Sequence, residues 1–260
     1  MINSLWISKT GMEAQQMQLD VISNNLANVS TNGFKKSHAV FEDLMYQNLR
    51  QVGSNTSEQS TLPTGLQVGL GVRTVATSRN FSQGNLQQTS NNLDVAVQGN
   101  GFFQLTMPDG TTGYTRDGAF QIDSQGRMVN SSGLPLVNGI TVPPNATNVT
   151  VAADGKVTAS IPGTVTPQTL GTITLASFIN PPGLEPKGQN IYAESAASGQ
   201  PTVGAANANG LGSLMQGFME TSNVNVVQEL VTMIQTQRAY EMNSKAIQTS
   251  DQMLQKLGQL

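Results

Sequence analysis

Residues 24–35 read NNLANVSTNGFK, an asparagine-dense run that ends on a glycine close to the start of the chain. Asn and Ser compete for their own backbone inside a helix, and a glycine at position 33 can take the left-handed conformation that closes one. Residues 28–33 therefore predict a helix C-terminus. Such a stop needs a helix upstream, and the sequence supplies it. Leu5, Met12, Leu19 and Leu26 stand seven apart, with Ile22 and Val29 on the adjacent line, which places one apolar stripe on a helix of about seven turns. The stop accounts for Asn32-Gly33 but not for Asn24, Asn25 and Asn28.

The far end of the chain mirrors this start. Val226, Met233, Tyr240, Ile247 and Leu254 repeat at seven, Leu230 joins them, and Asn225 with Gln228 forms a capping box. The spacing predicts a helix over 226–257. A helix of about 30 residues is about 45 Å long, and a periodic run of that length points to coiled-coil pairing with the other terminal helix and with further copies. All eleven prolines lie from Pro63 to Pro201, and only Gly11, Gly33 and Gly53 precede that window. Helix breakers are thus confined to the middle.

The middle reads as β structure. Dense Val, Phe and Leu in LDVAVQGNGFFQLTM, and turn signals at Asp109-Gly110, Asp117-Gly118, Gln125-Gly126 and Asp154-Gly155, predict short antiparallel strands in a sandwich or barrel. Residues 140–180 continue that rhythm, whereas Leu44 to Gly71 shows no period and reads as extended. The fold class is α+β: a discontinuous helical coiled-coil domain from both termini (1–30 and 222–260), an extended linking segment (31–71) and a central antiparallel β-rich domain (72–221).

Composition narrows the function. Only 11% of residues are charged, against about 25% in an average soluble protein. Asn, Gln, Ser and Thr fill the gap, which suits an adhesive surface or one covered by neighbouring subunits. The net charge is −3 and the only adjacent basic pair is Lys35-Lys36, so the basic stripe that tracks nucleic acid is missing. There is no cysteine, hence no disulfide, thiolate or Cys-zinc chemistry. The first twenty residues lack the pattern of a cleaved secretory signal. No window approaches the roughly 18 apolar residues of a membrane span, so membrane insertion is not expected.

Catalysis finds no foothold. His38 is the single histidine and reads as a solvent-facing residue beyond the first helix. No G-x-S-x-G elbow, phosphate loop or EF-hand spacing occurs, and Asp117 with Asp123 reads as a pair of turn residues. Gly99-Asn100-Gly101 follows a strand but precedes Phe-Phe rather than a helix start, so the dinucleotide motif fails. No catalytic residue, cofactor or metal is expected. An apolar helical stripe is most often the inside of an ordinary bundle. Here the stripes are long, lie at both chain ends and are backed mostly by Gln, Asn, Ser and Thr, with few i,i+4 opposite charges, which favours self-assembly.

The terminal segments carry a resemblance. SNNLANVSTNGFKK resembles the N-terminal signature of the bacterial flagellar rod and hook family, with Asn25, Leu26, Ala27, Asn28, Thr31, Gly33 and Phe34 in the motif positions. SNVNVVQELVTMIQTQRAYEMNSKAIQTSDQMLQKL is similar to the C-terminal signature of the same axial proteins, in Ser222, Asn223, Val224, Glu229, Met233, Gln237, Arg238, Tyr240, Glu241, Asn243, Lys245 and Asp251. DVAVQGNGFFQL with YTRDGAFQID resembles their shared β domain. The length and the segment 46–72, YQNLRQVGSNTSEQSTLPTGLQVGLGV, look like the distal-rod branch, since the hook protein lacks this segment and is longer.

The resemblance implies a structural subunit of the flagellar basal body, exported by the type III apparatus without a cleaved signal and spanning the periplasm. It would form a hollow helical homopolymer that carries torque from motor to hook. Its implied partners are itself, the proximal rod proteins, the hook protein, the peptidoglycan and outer-membrane ring proteins and the export apparatus. Leu5, Met12, Leu19, Ile22 and Leu26 with Val226, Leu230, Met233, Tyr240, Ile247 and Leu254 would form the assembly seams. Asn24, Asn25 and Asn28 would lie where the helix end meets neighbouring subunits, their amides bridging to backbone groups within reach, and Tyr46, Arg50, Leu62, Pro63 and Leu66 would anchor a rod-stiffening segment. Another axial member, proximal rod or hook, remains the nearest alternative. A secreted β-domain adhesin and a hydrolase are the others.

Overall fold

The computed structural model describes residues 2–50, 55–57, 60–61, 64–164 and 166–258. They form two compact units, one made of Met1–Leu26, Ser37–Ser78 and Asn225–Leu260, the other of Ala27–Lys36 and Arg79–Val224. The first unit holds both long helices, α1 (Ile2–Ala27) and α2 (Val226–Leu257). The Asn225 side chain accepts the Gln228 N–H at 3.2 Å at the start of α2, and Glu229 in its first turn and Lys256 in its last complement the helix dipole. α1 closes at Ala27, where Thr31 N–H donates to Asn28 O. Gly33 does take a left-handed φ of 67°. It lies beyond the helix end, however, and its N–H donates to Glu220 O at 2.7 Å instead of back to the helix.

The rest of the first unit is a folded-back ribbon. Ser37–Asp43 pairs with Val72–Arg79, Tyr46–Arg50 with Leu66–Gly69, and Asn55–Ser57 with Ser60–Thr61. Leu44 N–H donates to Gly71 O and bridges the first two pairs. The described parts of the segment without sequence period are thus paired antiparallel, through backbone hydrogen bonds that need no side-chain pattern. The domain division differs from the expected one for a related reason. Residues 27–36 join the β unit because Gly33 and Lys35 are tied to Glu220 there, while 37–78 group with the helices.

The second unit is built on a six-stranded antiparallel sheet in the order Glu185–Gly188, Ile191–Ala193, Thr112–Thr115, Phe102–Thr106, Thr174–Ser177, Thr202–Ala205. A three-stranded sheet (Asn148–Val151, Lys156–Ser160, Gln168–Thr172) and short ribbons complete it. Successive strand residues point to opposite faces, and both faces are covered. Phe103, Leu105 and Leu175 join a large apolar core with Val95, Val97, Phe120 and Val157. Phe102, Tyr114, Phe178 and Tyr192 pack on the other side with edge-to-face rings. Double coverage is why the adjacent Phe102 and Phe103 are both buried.

Of the four expected turns, Gly110, Gly126 and Gly155 have positive φ. Gly118 does not make a turn. Its carbonyl accepts the Val95 N–H at 3.0 Å, and a Cβ there would sit 1.7 Å from Val95 O. Close backbone approach, not a hairpin, requires that glycine.

Candidate assembly interface

The two terminal helices touch along one line. Ser4 Oγ and Ser250 Oγ are 3.4 Å apart, Asn243 Nδ2 donates to Gln15 Oε1 at 3.2 Å, and Asn25 Nδ2 donates to Glu229 Oε2 at 3.4 Å. The pairing is antiparallel, and the groups at its centre are polar. On α2 the buried residues are Glu229, Thr236 and Ser250, and on α1 they are Thr10, Ala14, Ile22 and Asn25.

This places the expected seams differently. Ile22 is buried, while Leu5, Met12, Leu19 and Leu26 are half-buried on the flank of the contact. Met233 and Ile247 are half-buried, and Val226, Leu230, Tyr240 and Leu254 stay exposed. The outer face of α2 exposes more apolar surface, with Val227 at 71%, Ile234 at 57% and Met242 at 66%.

The family-motif residues serve mainly the chain's own backbone. Asn25 Nδ2 donates to Ser37 O at 2.8 Å and its Oδ1 accepts Ser37 N–H at 2.9 Å, so the carboxamide acts as an extra strand residue at the foot of the ribbon. Asn25 thus bridges to backbone groups as expected, here those of its own chain. Asn28 Oδ1 accepts the Thr31 hydroxyl. Leu26 is half-buried, Ala27 exposed, and Gly33 and Phe34 buried. Gly33 packs so closely that a Cβ would meet Asp117 N at 2.7 Å. His38 is exposed on the strand Ser37–Asp43.

Next to the motif lies an ionic clamp that no sequence pattern announced. Lys35 Nζ donates to Glu220 Oε1 at 2.6 Å and to Ser82 O at 2.7 Å, both side chains fully buried. Gly84 N–H adds a second bond to Glu220 Oε1. Arg116 Nη1 is 3.6 Å from Glu220 Oε2, Arg116 Nη2 donates to Gly99 O, and the guanidinium lies over the Phe102 ring. Burial pushes the Lys35 ammonium below its ordinary pKa, against the pull of Glu220, and does the same to Arg116. Asn223 completes the joint by accepting Lys36 N–H at 2.8 Å and donating to Asn80 O and Ser82 O. The points where the chain enters and leaves the β unit are thereby held side by side.

The ribbon exposes Tyr46, Leu49 and Leu66, each more than half accessible, and Met45 at 83%. Arg50 is also exposed. Leu62 and Pro63, the other expected anchors, lie outside the described residues. A lone two-stranded hairpin is marginal in water, and in this one every residue of Tyr46–Arg50 is exposed. Among the described residues no helix is long and apolar enough to cross a membrane.

Comparison with known proteins places three parts of the chain. Residues 6–35 match the family described as flagella basal body rod protein, 96–159 the flagellar hook protein FlgE/F/G D1 domain, and 215–260 the flagellar basal body rod FlgEFG protein C-terminal family. Flagellar basal-body rod protein FlgG of Buchnera aphidicola subsp. Schizaphis graminum is 58% identical over 260 residues, covering all of both chains. The protein of that name from Borreliella burgdorferi is 46% identical, covering 98% of this chain and 97% of its own. That of Bacillus subtilis is 38% identical over 99% and 98%.

Proposed function

Because the chain belongs to the flagellar basal-body rod protein family and is a structural subunit of the distal rod, we propose that it assembles through the apolar surface its own helix pair leaves open. The observation that carries this is the exposure of Val226, Val227, Leu230, Ile234, Tyr240, Met242 and Leu254 on a helix already paired with α1. In a helical homopolymer those side chains meet equivalent helices of other copies. Many copies repeat one small gain, and the inner wall of a hollow, torque-bearing shaft results. Exposed Gln235, Gln237, Gln248 and Gln252 give that wall neutral polar groups, which hold a passing unfolded chain weakly. The proximal rod proteins, the hook protein, the ring proteins and the export apparatus are the further partners of such a shaft, and its role is mechanical rather than enzymatic.

The ribbon stiffens the shaft under the same reading. Its exposed Tyr46, Leu49 and Leu66 lie across neighbouring copies and resist their sliding. Deleting 47–64 yields curved or flexible rods in isolated basal bodies, and straight rods of normal stiffness would make the ribbon a tolerated insertion. The assembly surface itself is tested with Leu230→Asp and Leu254→Asp. Each carboxylate faces apolar neighbours in every copy and costs several kcal/mol there. Circular dichroism should show an intact β unit, while motility and tube formation are lost. Normal swimming by both variants would remove the seam from the assembly.

A further inference from the structure

The helix pair departs from an ordinary oily seam in a way that assembly does not explain. Four α2 residues seven apart, Glu229, Thr236, Asn243 and Ser250, are buried or half-buried, and all four are polar. On α1, Ser4, Gly11 and Asn25 fall on one line of the same period, and each meets its counterpart. Ser4 faces Ser250, a Cβ on Gly11 would lie 2.8 Å from Asn243 Nδ2, and Asn25 donates to Glu229. From Ser4 to Gly11 one step of seven matches one step back from Ser250 to Asn243, and from Gly11 to Asn25 two steps match two back to Glu229.

We propose that this polar line selects partner and register: it makes α1 pair with α2 in one antiparallel alignment, against α1–α1, α2–α2 and heptad-slipped pairs. Apolar contacts tolerate such errors, because Leu, Met and Val pack acceptably against one another in many alignments. Polar positions do not, and a polar residue in a helical seam is a known way to fix register at some cost in stability. A slip of seven would carry Asn25 from Glu229 to Thr236 and place Gly11, which has no side chain, opposite Ser250. Glu229, 8% exposed, would lose the Asn25 amide that its carboxylate accepts from. A chain whose surface is designed to stick to many copies of itself needs its internal pairing decided by something other than apolar area.

The absence of cysteine makes the register directly readable in the free full-length chain, whether or not its outer face polymerises. Ser4→Cys with Ser250→Cys reports the native alignment, and Gln18→Cys with Asn243→Cys reports that slip of one heptad. On mild copper–phenanthroline oxidation of dilute protein, the native reporter should close an intrachain disulfide at least tenfold faster than the slipped one. Adding Glu229→Leu and Thr236→Leu keeps helix propensity and should bring the two rates within about threefold, with interchain dimers appearing. Glu229→Gln, which retains hydrogen bonding to Asn25, should preserve most of the original ratio. An unchanged ratio in the leucine variant would overturn the assignment and give register to the tethering of the helix ends. Loss of the ratio in Glu229→Gln as well would overturn the role of the Asn25–Glu229 contact.

Discussion

The β unit and the helical unit solve opposite problems with the same alphabet. In the β unit Val95, Val97, Phe103, Leu105, Val157 and Leu175 are wholly buried, both faces of the central sheet are covered, and even the charges Lys35, Arg116 and Glu220 are sealed inside. In the helical unit the buried positions of α2 are polar, while Val227, Ile234 and Met242 are exposed. The first is finished as a single chain, and the second is not. Low charge content follows from that contrast, since a surface destined to be covered gains nothing from ions that must be desolvated.

Substitutions should separate the two regions sharply. The largest effect on the free chain is expected for Phe103→Ala, which empties a fully buried site and should cost about 3–5 kcal/mol in urea unfolding of the β unit. Next comes Lys35→Ala. It strips the main partner from buried Glu220, and about 3 kcal/mol is expected, at the low end of such losses because Arg116 remains 3.6 Å away. Asn25→Ala removes both bonds to Ser37 and the donor to Glu229. It should lower stability by about 1–3 kcal/mol, read as faster hydrogen exchange at the ribbon foot with the β core unchanged.

Smallest of all on the free chain is Val227→Ser with Ile234→Ser, within about 0.5 kcal/mol by thermal melting, although the same protein should fail to form tubes. A large loss of monomer stability there would mean that the outer face of α2 is covered within the chain. The contrast between a finished and an unfinished unit would then collapse.

Much of this was legible beforehand. Helix α2 is observed over the predicted span 226–257, because a capping Asn225 and an unbroken seven-residue period are local signals. The antiparallel strands around Phe102 and Thr112 were legible for similar reasons, and the motif residues Gly33 and Phe34 announced a special position. Glu229, Thr236, Asn243 and Ser250 share the same spacing, but a polar residue carries no local sign that it will be buried. The ribbon left no period to read because backbone pairing alone defines it.

By itself, the sequence determined which segments are helical and which are β, where α1 stops, and that the termini carry an excess of apolar stripe. Those properties depend on neighbours within a few turns of chain, where propensity and capping act. Only the tertiary structure decided which stripe faces inward. It put the polar line between the helices, left Val227 and Ile234 outside, and joined Lys35, Arg116 and Glu220, residues far apart in sequence, into one buried clamp. The physical reason is that burial and ion pairing are set by whatever lies across the contact, and no local pattern states what that will be.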